Sequence, residues 1–279
     1  MNNLNFLVDV LKDSPVFKTL EKNVKPGRTV CASGLSTINK SNIIYALCRP
    51  KGVTAFCLAS DEKEAQTLCN DLSCMGLRAY VYPVRDFNFL DFQSRSHEYE
   101  HARLKVLLKL INHECDVAIA CVDAAAQLTV PRNVLEQSVI EFEEGRELSL
   151  EKATKALTLL GYERFDAVEG SGQFSLRGGI LDFFMPDSDY PVRCEFWGDE
   201  ITDLSYFDIE TQRRFKKADK ITLSPSTEIV IEDRAALADK IEHKAKLLRS
   251  KNSAKAKEKL FSEAELIRSG AMIANADKF

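Results

Sequence analysis

Residues 174–184 read FSLRGGILDFF and residues 192–206 read VRCEFWGDEITDLSY, and these two stretches decide the fold of the second half of the chain. Apolar and polar side chains alternate along both, which is the period of a strand with one buried face. The pattern predicts one strand over Phe174–Phe184 and another over Val192–Trp197. The Gly198–Asp199 pair predicts a tight turn, after which Ile201–Tyr206 returns as the second arm of a hairpin. An antiparallel sheet is therefore expected.

The residues before this sheet predict its covering layer. Val139–Phe142 alternates as a short strand, and Gly145 marks a turn. Ser149–Leu160 repeats apolar residues at helical spacing and is closed by Gly161, which predicts a helix. Together these elements predict a small α+β domain over residues 130–225.

Upstream, from Arg28 to Leu128, short apolar runs alternate with amphipathic helical segments, a pattern typical of βαβ units and a parallel sheet. The predicted strands are Thr29–Ala32, Val53–Ala59, Ala79–Tyr82 and Asp116–Val122, and the predicted helices are Lys40–Cys48, Asp61–Met75 and Ser96–Ile111. Asp61 and Ser94 or Ser96 are predicted helix caps, and Gly76 a helix end. A parallel-sheet domain is expected over residues 1–129.

After Pro225 the chain becomes strongly charged and predicts one helix over Arg234–Ser269, so residues 226–279 are expected to form a helical segment. Its central lysines offer a possible contact to DNA. They are interleaved with glutamates, which favours a solvated helix face.

Composition limits the classes of function. The chain has 279 residues, of which 45% are hydrophobic, and this length and composition suit about two domains with buried cores. Its net charge of −4 argues against a dedicated nucleic-acid binder. The eight cysteines form no CxxC pair and indicate buried thiols in a reducing cytoplasm. No apolar run is long enough for a membrane span, so no membrane association is expected. Proteins or small molecules are the expected partners.

A segment resembling a phosphate-binding loop opens the first domain. Residues 34–41 read GLSTINKS and match GxxxxGK[ST] through Gly34, Lys40 and Ser41, with Asn39 in place of the second glycine. The bulky side chains of Leu35–Ile38 occupy positions where an anion needs open space. We therefore favour a degenerate loop that binds no nucleotide. A P-loop NTPase or DNA-binding helicase fragment is the alternative, with Asp123 as the available magnesium ligand.

The segment His97–His101 reads HEYEH and matches the HExxH zinc motif, which on a helix places two histidines on one face. A zinc hydrolase also needs a third ligand, and no recognisable downstream motif supplies one. The acids near a helix start equally fit an exposed polar first turn. We predict no metal site, no cofactor and no catalytic residue, with zinc hydrolysis as the alternative.

The two opening stretches closely resemble the second domain of the UvrB and transcription-repair coupling factor (Mfd) families. The matching residues continue through Met185-Pro186, Tyr190-Pro191, Phe207–Arg213 and Ile221–Pro225, and more loosely in the first domain through the degenerate loop, Tyr82-Pro83 and Ser94–Leu104. UvrB proteins keep an intact P-loop and a tyrosine-rich hairpin. Asp86–Phe92 is too short and too poor in tyrosine to be that hairpin. The coupling factors are therefore the better match.

The resemblance implies a fold and a partner. It implies a degenerate RecA-like or P-loop-like parallel-sheet domain, an inserted α+β domain with an antiparallel sheet, and a C-terminal helical segment. It also implies a non-catalytic module that binds UvrA and recruits nucleotide-excision repair to stalled RNA polymerase. DNA and RNA polymerase would be engaged only through other domains of a longer chain, which could also mask this surface by an autoinhibitory contact.

The residues implied to bind UvrA are Arg177, Arg193 and Trp197, the last in place of the more usual phenylalanine. Strand alternation independently predicts that Val192, Cys194 and Phe196 face the core while Arg193, Glu195 and Trp197 face outward together. The Gly178–Gly179 pair predicts a bulge or a close backbone approach that presents Arg177 beside them. The alternative places Trp197 under the Gly198 turn and pairs Arg193 only with Glu195.

Overall fold

The order of helices and strands follows the alternation expected from the sequence, and a computed structural model gives their bounds for residues 5–85, 98–228, 231, 233–249 and 253–269. The chain forms two units. The first comprises Met1–Asp86 and Lys105–Gln127, and the second comprises Phe87–Leu104 and Leu128–Phe279. Within the described residues, no helix is both long and apolar enough to cross a membrane.

The first unit is a parallel sheet with helices. Its elements are α1 (Asn5–Asp13), α2 (Pro15–Asn23), α3 (Thr37–Cys48), β1 (Ala55–Ala59), α4 (Glu62–Cys74), β2 (Ala79–Tyr82), the C-terminal part of α5 (Glu98–Ile111), β3 (Val117–Cys121) and α6 (Val122–Ala125). The strands run parallel in the order β1-β3-β2, and the central strand β3 is buried throughout. This parallel pairing confirms the predicted sheet. The continuous apolar run of β3 is typical of a strand that is covered on both faces.

Local signals set the bounds of α4. The Asp61 side chain accepts a hydrogen bond from the Glu64 amide at 2.8 Å, and Gly76 follows the helix with a φ of 85°. Both predictions for this helix are confirmed. The predicted caps Ser94 and Ser96 lie outside the described residues.

The predicted strand at Thr29–Ala32 is wrong, because these residues are irregular and largely exposed. β-Branched residues favour extended backbone, but a strand also needs a ladder partner, and none pairs with this segment in the described part of the first unit. The degenerate loop therefore follows irregular chain instead of a strand.

The second unit is built on antiparallel strands. After the N-terminal part of α5, its elements are α7 (Arg132–Gln137), β4 (Ile140–Glu143), α8 (Leu150–Leu159), β5 (Glu163–Arg164), β6 (Gln173–Arg177), β7 (Ile180–Phe183), β8 (Val192–Trp197), β9 (Glu200–Phe207), β10 (Arg214–Lys217), β11 (Lys220–Leu223), α9 (Arg234–Leu247) and α10 (Ala254–Arg268). One sheet has the order β10-β9-β8-β7-β6-β5 and is antiparallel except for β5 and β6. A second sheet pairs β11 with β4. The predicted antiparallel sheet is confirmed.

The core of this unit lies on one face of the six-stranded sheet. Phe183 of β7, Cys194 of β8 and Leu204 of β9 are buried there with Leu157 of α8. The Ser149 side chain caps α8 by accepting from the Lys152 amide. Because the apolar side chains of β7, β8 and β9 all point into this core, their polar neighbours are directed to the opposite face.

Two predicted elements are each divided. The strand predicted over Phe174–Phe184 is the hairpin of β6 and β7, with a two-residue turn at Gly178–Gly179 instead of a bulge. The close backbone approach predicted there as the other possibility is confirmed, because a Cβ at Gly179 would lie 2.7 Å from the backbone oxygen of Phe196. The helix predicted over Arg234–Ser269 is two helices, α9 and α10. These pack together through Ala238, Ile241, Ala264 and Ile267. Folding back buries an apolar stripe that one extended charged helix would leave in water.

Candidate functional site

Strand β8 alternates between a core face and a polar face. Val192, Cys194 and Phe196 are buried, whereas Arg193, Glu195 and Trp197 lie on the other face. The alternation expected from the sequence is confirmed, because successive side chains of a strand point to opposite sides.

Trp197 ends β8 and is 82% exposed. It pairs with Glu200 across a tight turn that begins at Gly198, whose φ of 63° suits glycine. The alternative position of the indole, packed under this turn, is excluded by the exposure. The hairpin tip therefore presents a large rigid aromatic surface to solvent.

Arg193 also lies on the polar face, but its side chain is only 12% exposed. Its Nε donates to Asp182 Oδ1 at 2.7 Å and its Nη2 to Asp182 Oδ2 at 2.8 Å. The guanidinium carbon lies 4.4 Å from the centre of the Phe207 ring. Its hydrogen bond to Asp182 raises the pKa of Arg193. The alternative that pairs Arg193 only with Glu195 is wrong, because the guanidinium pairs with Asp182. Arg193 faces outward as expected, but its side chain is far less exposed than the sequence suggests.

A further partner of Arg193 was not evident from the sequence. Arg193 Nη1 donates to the backbone oxygen of Gln212 at 3.2 Å, and Nη2 donates to Gln212 Oε1 at 3.1 Å. Gln212 has a φ of 57°, which is uncommon for a residue other than glycine. Gln212 lies in the turn before β10, and the fold of the sheet brings it beside Arg193.

Arg177 lies at the end of β6 with 53% of its side chain exposed. Its Nη2 donates to Asp182 Oδ2 at 2.9 Å. Two arginines therefore share one carboxylate, and Asp182 itself is only 1% exposed. The cluster of Arg177, Asp182 and Arg193 carries one net positive charge at the surface.

Glu195 lies between Arg193 and Trp197 on β8 and forms an ion pair with Arg214 of β10. Arg214 Nη1 also contacts Asp203 Oδ2 at 3.0 Å. The Glu195 carboxylate is thus neutralised from within the sheet, so its charge is less available than the sequence alone implies.

The polar side chains at the end of the degenerate loop contact acidic side chains of the same unit. Gly34 has a φ of 77°, and Asn39 is exposed inside the first turns of α3. Lys40 Nζ lies 2.7 Å from Glu64 Oε1, and that hydrogen bond helps to lower the Glu64 pKa to about 2. Ser41 is buried, and its Oγ lies 3.0 Å from Asp71 Oδ2. The two groups that would contact phosphate and magnesium in a P-loop are engaged elsewhere.

The HExxH segment is only partly visible, since His97 lies outside the described residues, as does the aromatic segment Asp86–Phe92. His101 Nε2 lies 3.1 Å from Ser226 Oγ, and Glu100 Oε1 accepts from Thr227 Oγ1 and from the Glu228 amide. These side chains are half-buried against residues 226–228, which differs from the expected exposed polar turn. Where the chain is described, no cluster of three metal-ligating side chains occurs.

The thiols divide by burial. Cys31 and Cys74 are exposed, contrary to the expectation of buried thiols, while Cys48, Cys69, Cys115, Cys121 and Cys194 are buried and Cys57 is half-buried. Burial raises the pKa of Cys57 and Cys115 to about 11 and that of Cys194 to about 12. These three cysteines stay protonated at neutral pH and are poor nucleophiles.

Part of the chain matches a known family, and most of it is similar in sequence to known proteins. Residues 140–229 match the UvrB interaction domain family. A transcription-repair-coupling factor of Bacillus subtilis is 28% identical over 237 residues, which is 83% of this chain and 20% of that protein. Those of Staphylococcus aureus (strain USA300) and Escherichia coli are 24% and 29% identical over 82% and 64% of this chain, and over 20% and 16% of their own lengths. The chain thus spans a fifth or less of these relatives. Residues 140–229 are therefore similar to the UvrB interaction domain family, and most of the chain is similar to a part of the transcription-repair-coupling factors.

Proposed function

We propose that the polar face of the six-stranded sheet binds UvrA, and that the chain thereby recruits nucleotide-excision repair to RNA polymerase stalled at damaged DNA. The observation that carries this proposal is the 82% exposure of Trp197 in the UvrB interaction domain. Covering the exposed indole with a partner would remove its apolar area from water, which is favourable.

The neighbouring side chains suit protein recognition. The strand register places Ile180 beside Glu195, and Arg177 beside Ile180, so that Arg177 lies on the face shared by Glu195 and Trp197. Tryptophan and arginine are the residue types most enriched where binding energy concentrates, because an indole offers rigid area and a guanidinium offers oriented donors. Arg177, Arg193, Glu195 and Trp197 are the proposed UvrA-binding residues.

Residues 1–129 are proposed to form a degenerate RecA-like domain that acts without catalysis. Lys40 is paired with Glu64 and the Ser41 hydroxyl with Asp71, which supports a loop that holds no nucleotide. The proposed divisions continue with the UvrA-binding domain over residues 130–225 and the start of a further helical domain over residues 226–279. The chain is proposed to be cytoplasmic.

The remaining partners belong to the longer protein. DNA and RNA polymerase are proposed to be contacted through other domains, one of which could also cover the Trp197 face in an autoinhibited state. Direct DNA binding by the helices after Asp233 is less favoured. Arg268 pairs with Asp239 and Glu242, and Lys246 also contacts Glu242, so acids offset several of these cations.

Titration calorimetry with purified UvrA tests the proposal. Trp197→Ala, Arg177→Ala and Arg193→Ala should each weaken binding by about 2 kcal/mol or more. Phe215→Ala is the matched control, because Phe215 is an exposed aromatic of the same sheet that packs on Tyr190. Equal affinity of the Trp197 variant and the wild-type chain, or no binding by the wild type, contradicts the proposal.

A further inference from the structure

Asp182 is a carboxylate that the sheet buries almost completely. It lies on β7 between Leu181 and Phe183, whose side chains belong to the core, and it faces the opposite side. In the ladder it stands between Ser175 of β6 and Arg193 of β8. Burying a carboxylate is costly unless charged donors compensate it, and here three donor groups of two arginines do so. Its position is therefore tied to those arginines.

Arg193 connects Asp182 to the loop that contains Gln212 through hydrogen bonds to both residues. Its Nε and Nη2 donate to the Asp182 carboxylate, and its Nη1 and Nη2 donate to Gln212. The guanidinium stacks on Phe207, the last residue of β9. These hydrogen bonds and the aromatic contact restrict the conformations of the Arg193 side chain. Arg193 thus joins β7 to the loop between β9 and β10.

That loop, residues 208–213, has a defined conformation. Asp208 Oδ1 accepts from the Thr211 amide at 2.8 Å and from Thr211 Oγ1 at 2.7 Å. The Gln212 amide donates to the Asp208 oxygen, and the Asp208 amide donates to the Arg213 oxygen. Gln212 adopts its positive φ within this network. Residues 210–213 are exposed, so the loop presents Arg213 to solvent.

We propose that Asp182 is a positioning residue of the UvrA-binding face, which holds Arg177 directly and loop 208–213 through Arg193 in the arrangement that the partner meets. This inference rests on the proposed function. Preorganised side chains and loops lose less conformational entropy on association, so affinity depends on a residue that touches no part of the partner.

Asp182→Asn tests the inference, because the amide keeps the shape of the side chain and removes its charge. UvrA affinity should fall about tenfold. In a chain that already carries Arg177→Ala and Arg193→Ala, Asp182→Asn should lower UvrA affinity no further. Such non-additivity would show that Asp182 acts through the two arginines. Asp116→Asn is the matched control, since Asp116 accepts from Nε and Nη2 of Arg78 in the first unit and should leave affinity unchanged.

Gln212→Gly provides a variant that does not disturb the buried carboxylate. It removes the Oε1 acceptor while glycine readily adopts the positive φ, so the unfolding midpoint should be kept. The loop should loosen, and UvrA affinity should fall about threefold. Hydrogen exchange of the free chain supplies a second measurement: the Thr211 and Gln212 amides should exchange faster in Asp182→Asn, while the Cys194 amide of β8 stays protected.

The outcomes separate the two proposals. Failure of the wild-type chain to bind UvrA overturns the proposed function, and this inference with it. Wild-type binding with unchanged affinity in both Asp182→Asn and Gln212→Gly overturns this inference alone. An affinity loss from Asp182→Asn that persists in the double-arginine background also overturns it, because Asp182 would then act independently of the arginines.

Discussion

Arg103 and Glu228 form an ion pair that is closed to solvent. Arg103 Nε lies 2.5 Å from Glu228 Oε1 and Nη2 lies 3.3 Å from Oε2, with the two side chains 0% and 1% exposed. The pair joins the start of α5 to the segment after β11, which Glu100 also holds through the Glu228 amide. Glu100 and His101, which belong to the HExxH-like segment, thus contact residues 226–228 of the same unit beside this ion pair.

Breaking this pair on one side should destabilise the second unit strongly. Arg103→Met leaves the Glu228 carboxylate buried without its guanidinium, which costs about 3–5 kcal/mol. Urea unfolding followed by circular dichroism measures the loss. Arg132→Ala, which removes an exposed pair with Glu136, should cost less than about 1 kcal/mol. Similar losses for the two variants would contradict the buried character of Arg103–Glu228.

Gly179→Ala should destabilise the β6–β7 hairpin. A methyl group at this position would lie 2.7 Å from the backbone oxygen of Phe196 on β8, so the strands must shift. We expect a loss of about 1–3 kcal/mol in the free energy of unfolding. Gly170→Ala is the control, because its nearest atom lies at 3.6 Å. Equal thermal stability of both variants would refute the close approach.

Restoring the missing glycine should not restore nucleotide binding. Asn39→Gly repairs the phosphate-loop pattern, but Lys40 remains paired with Glu64 and the Ser41 hydroxyl with Asp71. Titration with a fluorescent ATP analogue in the presence of magnesium should give no saturable signal for the wild type or the variant. Saturable binding that disappears in Lys40→Ala would show a working site.

The Lys40–Glu64 pair predicts a pH dependence of stability. The hydrogen bonds from Lys40 and Ser60 lower the Glu64 pKa from 4.5 to about 2 in the folded chain. A depressed carboxyl pKa contributes stability that is present above pH 4.5 and is lost as the pH falls toward 2. The difference in melting temperature between the wild type and Glu64→Gln should therefore shrink steadily between pH 5 and pH 3. A constant difference would argue against the assignment.

Elements with strong local signals were predictable from the sequence. The bounds of β2 and β8 match the prediction, and α4 begins after its predicted cap Asp61. Thr29–Ala32 has the same β-prone composition but no ladder partner, and partner choice is not a local property. The separation of α9 from α10 had a usable signal in Ser253, a residue type favoured before helices.

The candidate site was predictable only in part. Alternation along β8 correctly separated Arg193 and Trp197 from the core, but it did not show that Arg193 would be largely enclosed. The enclosure depends on Asp182 and Gln212, which are brought beside Arg193 by strand register and by a turn. The signal available for Asp182 was a single charge within the apolar run Ile180–Phe184. A charge at such a position usually has a buried partner.

The position of Trp197 has a practical consequence for following this module in solution. It is the one tryptophan in the chain, so indole fluorescence comes from the tip of a single hairpin. The hydrated indole should emit at long wavelength and be readily quenched by iodide, and unfolding should change its emission little. Association through the hairpin tip would shift that emission to shorter wavelength, which makes the unlabelled protein its own optical reporter.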